Sequence, residues 1–92
     1  MIYRKLPILI EAYQVNADNY GSLLMISEIE AGIELWDDSA TADHDYKMQI
    51  PTQNGLVIAH MGDYVCRDIQ GKLYPCNQAV FEATHEQVKE NL

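Results

Sequence analysis

Basic side chains are scarce in this sequence: its 92 residues hold six Lys and Arg against fourteen Asp and Glu, for a net charge of -8 and an isoelectric point near 4.5. Duplex DNA and RNA are bound largely through Lys and Arg that neutralise phosphates, so six dispersed cations exclude that class of partner. Cysteine is scarce too, with only Cys66 and Cys76. No charged segment followed by an apolar one opens the chain, so free thiols in a reducing, cytoplasmic setting are expected. The apolar runs, such as residues 23–26, are far too short to span a bilayer, and no membrane partner is expected.

The motifs of common enzyme classes are also missing. There is no glycine-rich phosphate loop, no paired-cysteine zinc spacing, no His-Glu-x-x-His helix and no serine elbow. Cys66, Cys76, His60 and His85 supply thiols and bases, but no motif joins them. Asp43-His44-Asp45 is one triplet in a polar stretch, without the multi-element rigidity that metal coordination needs. These absences predict a non-enzymatic protein with no cofactor, no metal and no catalytic residue.

What is present describes a folded domain. Nearly half the residues are apolar (48%) and 22% are charged, and residues 1–92 form one unit without repeats or linkers. A chain of this size buries one modest core, so a large binding site needs a second copy, and a homo-oligomer is expected. The elements predict an α+β fold: a small antiparallel meander with one main amphipathic helix and a short C-terminal helical turn. Residues 8–15, after Pro7, read as a strand. Residues 16–19 offer helix N-caps, and residues 19–31 follow with helical spacing up to Gly32.

Residues 33–36 read as a short strand and residues 37–45 as a mobile acidic loop carrying Asp37, Asp38, Asp43 and Asp45. Strands at 46–50 and 56–59 flank Gln53-Asn54-Gly55, a strong hairpin signal. Residues 64–67 and 72–74 then form a second hairpin about 68–71. That register places Arg67 opposite Lys72 and Cys66 opposite Leu73, with Pro75 ending the strand. Asn77 caps a single turn through Phe81, whose ring is expected to plug the end of the sheet. Residues 87–92 are polar enough to fray or to continue as a short exposed helix.

Six tyrosines and Trp36 are the aromatic inventory for a binding role, since such rings stack on bases while Arg or Lys meets a phosphate. Tyr13, Tyr64 and Tyr74 read as sheet-packing rings; Tyr3, Tyr20 and Trp36 sit among polar neighbours and read as exposed. Tyr3-Arg4-Lys5 concentrates cations at the start, as an edge that discourages strand pairing or as a phosphate contact.

Residues 56–86, with both ends of the chain, resemble a family of small phage and prophage proteins. The matching residues are Arg4-Lys5-Leu6-Pro7, Ile10-Glu11-Ala12, Ile50-Pro51-Thr52, Gly62-Asp63-Tyr64, Gly71, Tyr74-Pro75-Cys76 and Phe81-Glu82-Ala83-Thr84. Met61, Lys72 and His85 depart from the pattern, which usually has proline, glutamate and tyrosine there, and residues 16–47 match weakly. The resemblance implies an accessory factor in the host cytoplasm that blunts host defence. Sponges that sequester cyclic nucleotide immune signals between subunits are similar in scale. The expected function is therefore a homo-oligomeric sponge whose ligand contacts are Tyr3, Arg4, Lys5 and Arg67. The alternatives are an acidic inhibitor that covers a basic surface of a defence protein through residues 37–45, and a virion or assembly accessory.

Overall fold

In the computed structural model, which describes residues 1–4, 8–30, 32–38 and 45–88, the fold is a mixed α+β arrangement of two three-stranded antiparallel sheets and two helices. The strands are β1 (Glu11–Gln14), β2 (Glu34–Asp38), β3 (Asp45–Thr52), β4 (Gly55–Ala59), β5 (Tyr64–Arg67) and β6 (Leu73–Cys76). One sheet has the order β1-β5-β6 and the other β2-β3-β4. Helix α1 (Tyr20–Ile29) connects β1 to β2, and α2 (Gln78–Thr84) follows β6. No helix among the described residues is long and apolar enough to cross a membrane.

Period-two alternation makes β3 the centre of the core. Tyr46, Met48 and Ile50 point inward while Asp45, Lys47 and Gln49 alternate outward. Those three meet Val15, Leu23, Ile33, Ala59, Val65 and Leu73 in one cluster, and β6 packs against β3 and β4, so the core lies between the sheets. Leu23 is the only buried side chain of α1, and Ile26 and Tyr20 pack beside it. The Tyr20 ring, expected at the surface, lies 5.1 Å from that of Tyr46 and is half-buried.

Several boundaries differ from the sequence reading, each for a local reason. β1 starts at Glu11 because its partner β5 ends at Arg67, opposite Glu11; residues 8–10 have no strand beside them. Asp37 and Asp38 lie in β2, paired with Tyr46 and Asp45, because β3 offers backbone partners whatever the side-chain charge. The mobile loop expected at 37–45 therefore loses both ends to the sheet, and residues 39–44 lie outside the described residues, as do most of the tail residues 87–92.

The β5–β6 register is one residue off the expected one: Arg67 faces Leu73 and Cys66 faces Tyr74. A bulge explains the shift. Asp68 N donates to Lys72 O at 2.9 Å, and Gly71, with φ of 85°, donates from N to Asp68 O at 3.0 Å, which adds one residue to the returning strand. Asp68 Oδ1 accepts from the backbone N of Gln70 and of Lys72 and locks the turn. Pro75 sits inside β6 opposite Val65. Counting back from the bonded Asp68/Lys72 pair, this is a non-hydrogen-bonded position of an edge strand, where a missing N–H breaks no ladder bond.

Leu23→Ala should lower folding stability by about 3 kcal/mol, the usual result of truncating a fully buried leucine. Urea denaturation followed by far-UV circular dichroism checks it; an unchanged midpoint would show that α1 is not anchored through this side chain.

Candidate functional site

The four residues predicted to bind ligand are not gathered into one site. Tyr3 and Arg4 stand in an exposed segment outside any helix or strand, and Tyr3 makes one weak contact, donating from its hydroxyl to Met1 Sδ at 3.9 Å. Lys5 lies outside the described residues. Arg67 is held elsewhere by carboxylates: Nε lies 3.7 Å from Glu11 and Nη2 2.5 Å from Glu30, while Nη1 donates to Gly71 O at 2.8 Å. A guanidinium so occupied has little capacity left for a phosphate. No hydrogen bond or ion pair among the described residues joins Tyr3 or Arg4 to it.

Arg67 lines a groove of about 170 Å³ with Tyr13, Ser22, Met25, Ile26, Ile29 and Glu30. This groove lies where α1 meets Tyr13 of β1 and Arg67 of β5, with Leu23 facing the core and Met25 and Ile29, one turn apart, left largely exposed. Small-molecule sites begin at about 300 Å³, so the groove is too small for a nucleotide.

A second surface is the edge strand β2. Glu34, Trp36 and Asp37 are exposed along it, and Trp36 Nε1 donates to Glu34 Oε2 at 3.1 Å, which holds the indole against the strand. The nearest cation, Lys47 opposite Trp36, pairs with Asp45 at 3.5 Å. An open strand edge with one ring and several carboxylates thus replaces much of the expected acidic loop. Strand position, not sequence, makes this visible, since Asp37-Asp38 reads as loop by composition.

A third feature joins α2 to β5. Tyr64, Phe81 and His85 form a parallel stack, with ring centroids 3.9 and 4.2 Å apart. The Phe81 ring, expected to plug the end of the sheet, stacks on Tyr64 of β5 and is half-buried between the other two rings, while α2 buries no residue. Asn77 Oδ1 accepts from Ala79 N and Val80 N, and Glu82 Oε1 accepts from Tyr64 Oη and Gln78 Nε2, both at 3.2 Å. Partial burial and the Glu82 carboxylate both push the Tyr64 phenol above its ordinary range.

No family model matches the chain, and no curated protein and no solved structure matches it. Its own geometry is therefore what bears on function. Among the described residues no group of three or more His, Cys, Asp or Glu is arranged to hold a metal, and Asp43 and His44 lie outside them. No hydrogen bond joins either thiol to a histidine ring among the described residues; His85 Nδ1 instead meets Thr84 Oγ1 at 2.8 Å and Phe81 O at 3.2 Å.

Cys66 and Cys76 are both free, Cys66 buried and Cys76 half-buried. Burial is the first cause, and the neighbouring Cys76 the second, that push the Cys66 thiol up to about 11 from an ordinary 9.0, against a smaller lowering by a Tyr74 hydrogen bond. A thiol raised on folding stabilises the protein below its unfolded value and loses that contribution as pH climbs through the folded one. Folding stability should therefore fall between about pH 9 and 11, steepened by Tyr64 and Tyr74, whose phenols are also raised. Urea midpoints across that range check it, with Cys66→Ala flattening the slope. At pH 8 a thiol reagent should label Cys76 in the native protein and reach Cys66 only after unfolding; rapid native labelling of both would overturn this.

Proposed function

We propose that this protein acts by binding rather than turnover, as an acidic inhibitor that covers a basic surface of a partner protein through the β2 edge. The observation that carries the reading is Trp36, an exposed ring beside Glu34 on β2, which among the described residues is an edge strand, with Asp37 exposed at the next position. Tryptophan is the commonest kind of interface anchor, and surrounding carboxylates select a cationic partner and speed its encounter. An edge strand also offers unpaired backbone groups that a partner strand completes. The resemblance to phage and prophage accessory proteins supports a host defence protein as the target.

Sequestration of a cyclic nucleotide is the second reading, and it is favoured by Tyr3 and Arg4, which are exposed and make no strong contact with other side chains among the described residues. It calls for a site built between subunits, since the α1 groove is small and Arg67 is neutralised by two carboxylates.

Trp36 is the only tryptophan, so its fluorescence reports directly on the β2 edge. Titration with a cationic, strand-forming peptide should shift its emission to the blue, and the effect should fade at high salt. Trp36→Ala or the pair Glu34→Gln with Asp37→Asn should weaken calorimetric binding of the same peptide about thirtyfold, the scale of an interface hot spot. Binding that ignores all three residues would sink the inhibitor reading. Heat released by cyclic di- or trinucleotides, abolished by Arg4→Ala with no change in Trp36 emission, would establish the sponge instead.

A further inference from the structure

Two apolar surfaces are left bare among the described residues, and the first leads into Glu11 of β1, which lies beside Arg67 of the second. The first is the N-terminal segment, where Ile2 is 102% and Leu9 81% exposed and Met1, Tyr3 and Ile8 are uncovered as well. The second is the groove on α1, rimmed by Met25 at 60% and Ile29 at 76% exposure. Among the described residues, none of the side chains lining that groove comes from the N-terminal segment. Isolated exposed apolar residues are ordinary, but an uncovered apolar segment beside an uncovered apolar groove is not.

We propose that the N-terminal segment of one copy of this chain seats an apolar side chain in the α1 groove of a second copy, so that two subunits exchange arms. Size agrees. A cavity of about 150 Å³ accepts a benzene-sized group, so a groove of about 170 Å³ accepts one isoleucine or leucine side chain.

Charge agrees as well. The first ten residues carry two cations, Arg4 and Lys5, and no acid, whereas the remaining eighty-two carry four cations and fourteen acids. Around the groove, Glu11 and Glu30 outnumber Arg67, and Glu28 is exposed nearby on α1. A basic apolar arm thus meets an acidic apolar groove, which favours the encounter and its orientation.

Position makes the exchange reciprocal. Glu11, where the arm enters β1, pairs in register with Arg67 of the groove lining, and β1 is the open edge of its sheet. Two copies meeting across that edge each present an arm beside the other's groove, the self-complementary arrangement of a two-fold dimer. The inference needs neither Trp36 nor a nucleotide, so it stands or falls apart from the proposed function.

Native mass spectrometry and sedimentation of the full chain over a concentration series test it. The parent protein should dimerise. An arm variant, Ile2→Asp with Leu9→Asp, and a groove variant, Met25→Glu with Ile29→Glu, should each weaken dimerisation at least about thirtyfold. Mixing the two variants should restore a heterodimer, because one intact arm then meets one intact groove. A monomeric parent, a dimer indifferent to both variants, or a mixture that fails to pair would overturn the proposal. Should either charged variant lower the urea midpoint, the milder pair Leu9→Ser and Ile29→Ser supplies the same comparison.

Discussion

The arrangement of both sheets depends on one turn, residues 60–63, where the chain leaves β4 and enters β5. Asp63 N donates to His60 O at 3.0 Å while His60 N donates to the Asp63 carboxylate at the same distance, so the turn is closed by backbone and side chain together. Gly62 holds φ of 91°, a conformation that other L residues adopt with strain, and an added Cβ would come within 3.0 Å of Gln78 Oε1. From this turn Gly62 N donates to Val15 O and Asp63 O accepts from Val15 N, clamping the end of β1. Gln14 Nε2 donates to Gly62 O, and Asn19 Nδ2 donates to Gln14 O just before α1 begins. Asn19 therefore spends its side chain on this string of bonds and not on the helix N-terminus where the residue type would ordinarily be used. One glycine turn thus sets the offset of the sheets, the end of β1 and the start of α1.

Electrostatics distribute around that frame in a lopsided way. Lys47 is occupied by Asp45, and Arg67 by Glu11 and Glu30, so each neutralises carboxylates already on the surface. These pairs are partly exposed and each contributes little to stability. Their effect is on recognition: they leave the acidic field of β2 unanswered and leave Arg4 as an exposed cation without an internal partner among the described residues. A surface so divided presents an acidic field on β2 and a separate cation at the N-terminus.

Much of the fold was legible in the residues. Asn54-Gly55 announced the β3–β4 hairpin, the alternation of Tyr46, Met48 and Ile50 announced β3, and residues 64–67 were located to the residue. Boundaries failed where tertiary pairing overrode composition, as at Asp37-Asp38, and where an inserted residue in the Gly71 bulge changed the register of Leu73 and Tyr74. Side-chain roles were harder still. Arg67 reads as a phosphate ligand until the fold brings Glu11 and Glu30 to it, and the stacking of Phe81 between Tyr64 and His85 is not visible until α2 is placed beside β5. Contacts between elements distant in sequence leave no periodic trace, which is why the architecture could be read and the sites could not.

The ring stack of Tyr64, Phe81 and His85 gives α2 a separate standing in the molecule. With no buried side chain of its own, this helix is attached by two ring faces, an asparagine cap and the Glu82 bonds, all at the periphery. An element held this way contributes little to the buried core, and low-stability opening is drawn from elements of that kind. The helix that closes the described fold is thus fastened to its rim and not to its interior.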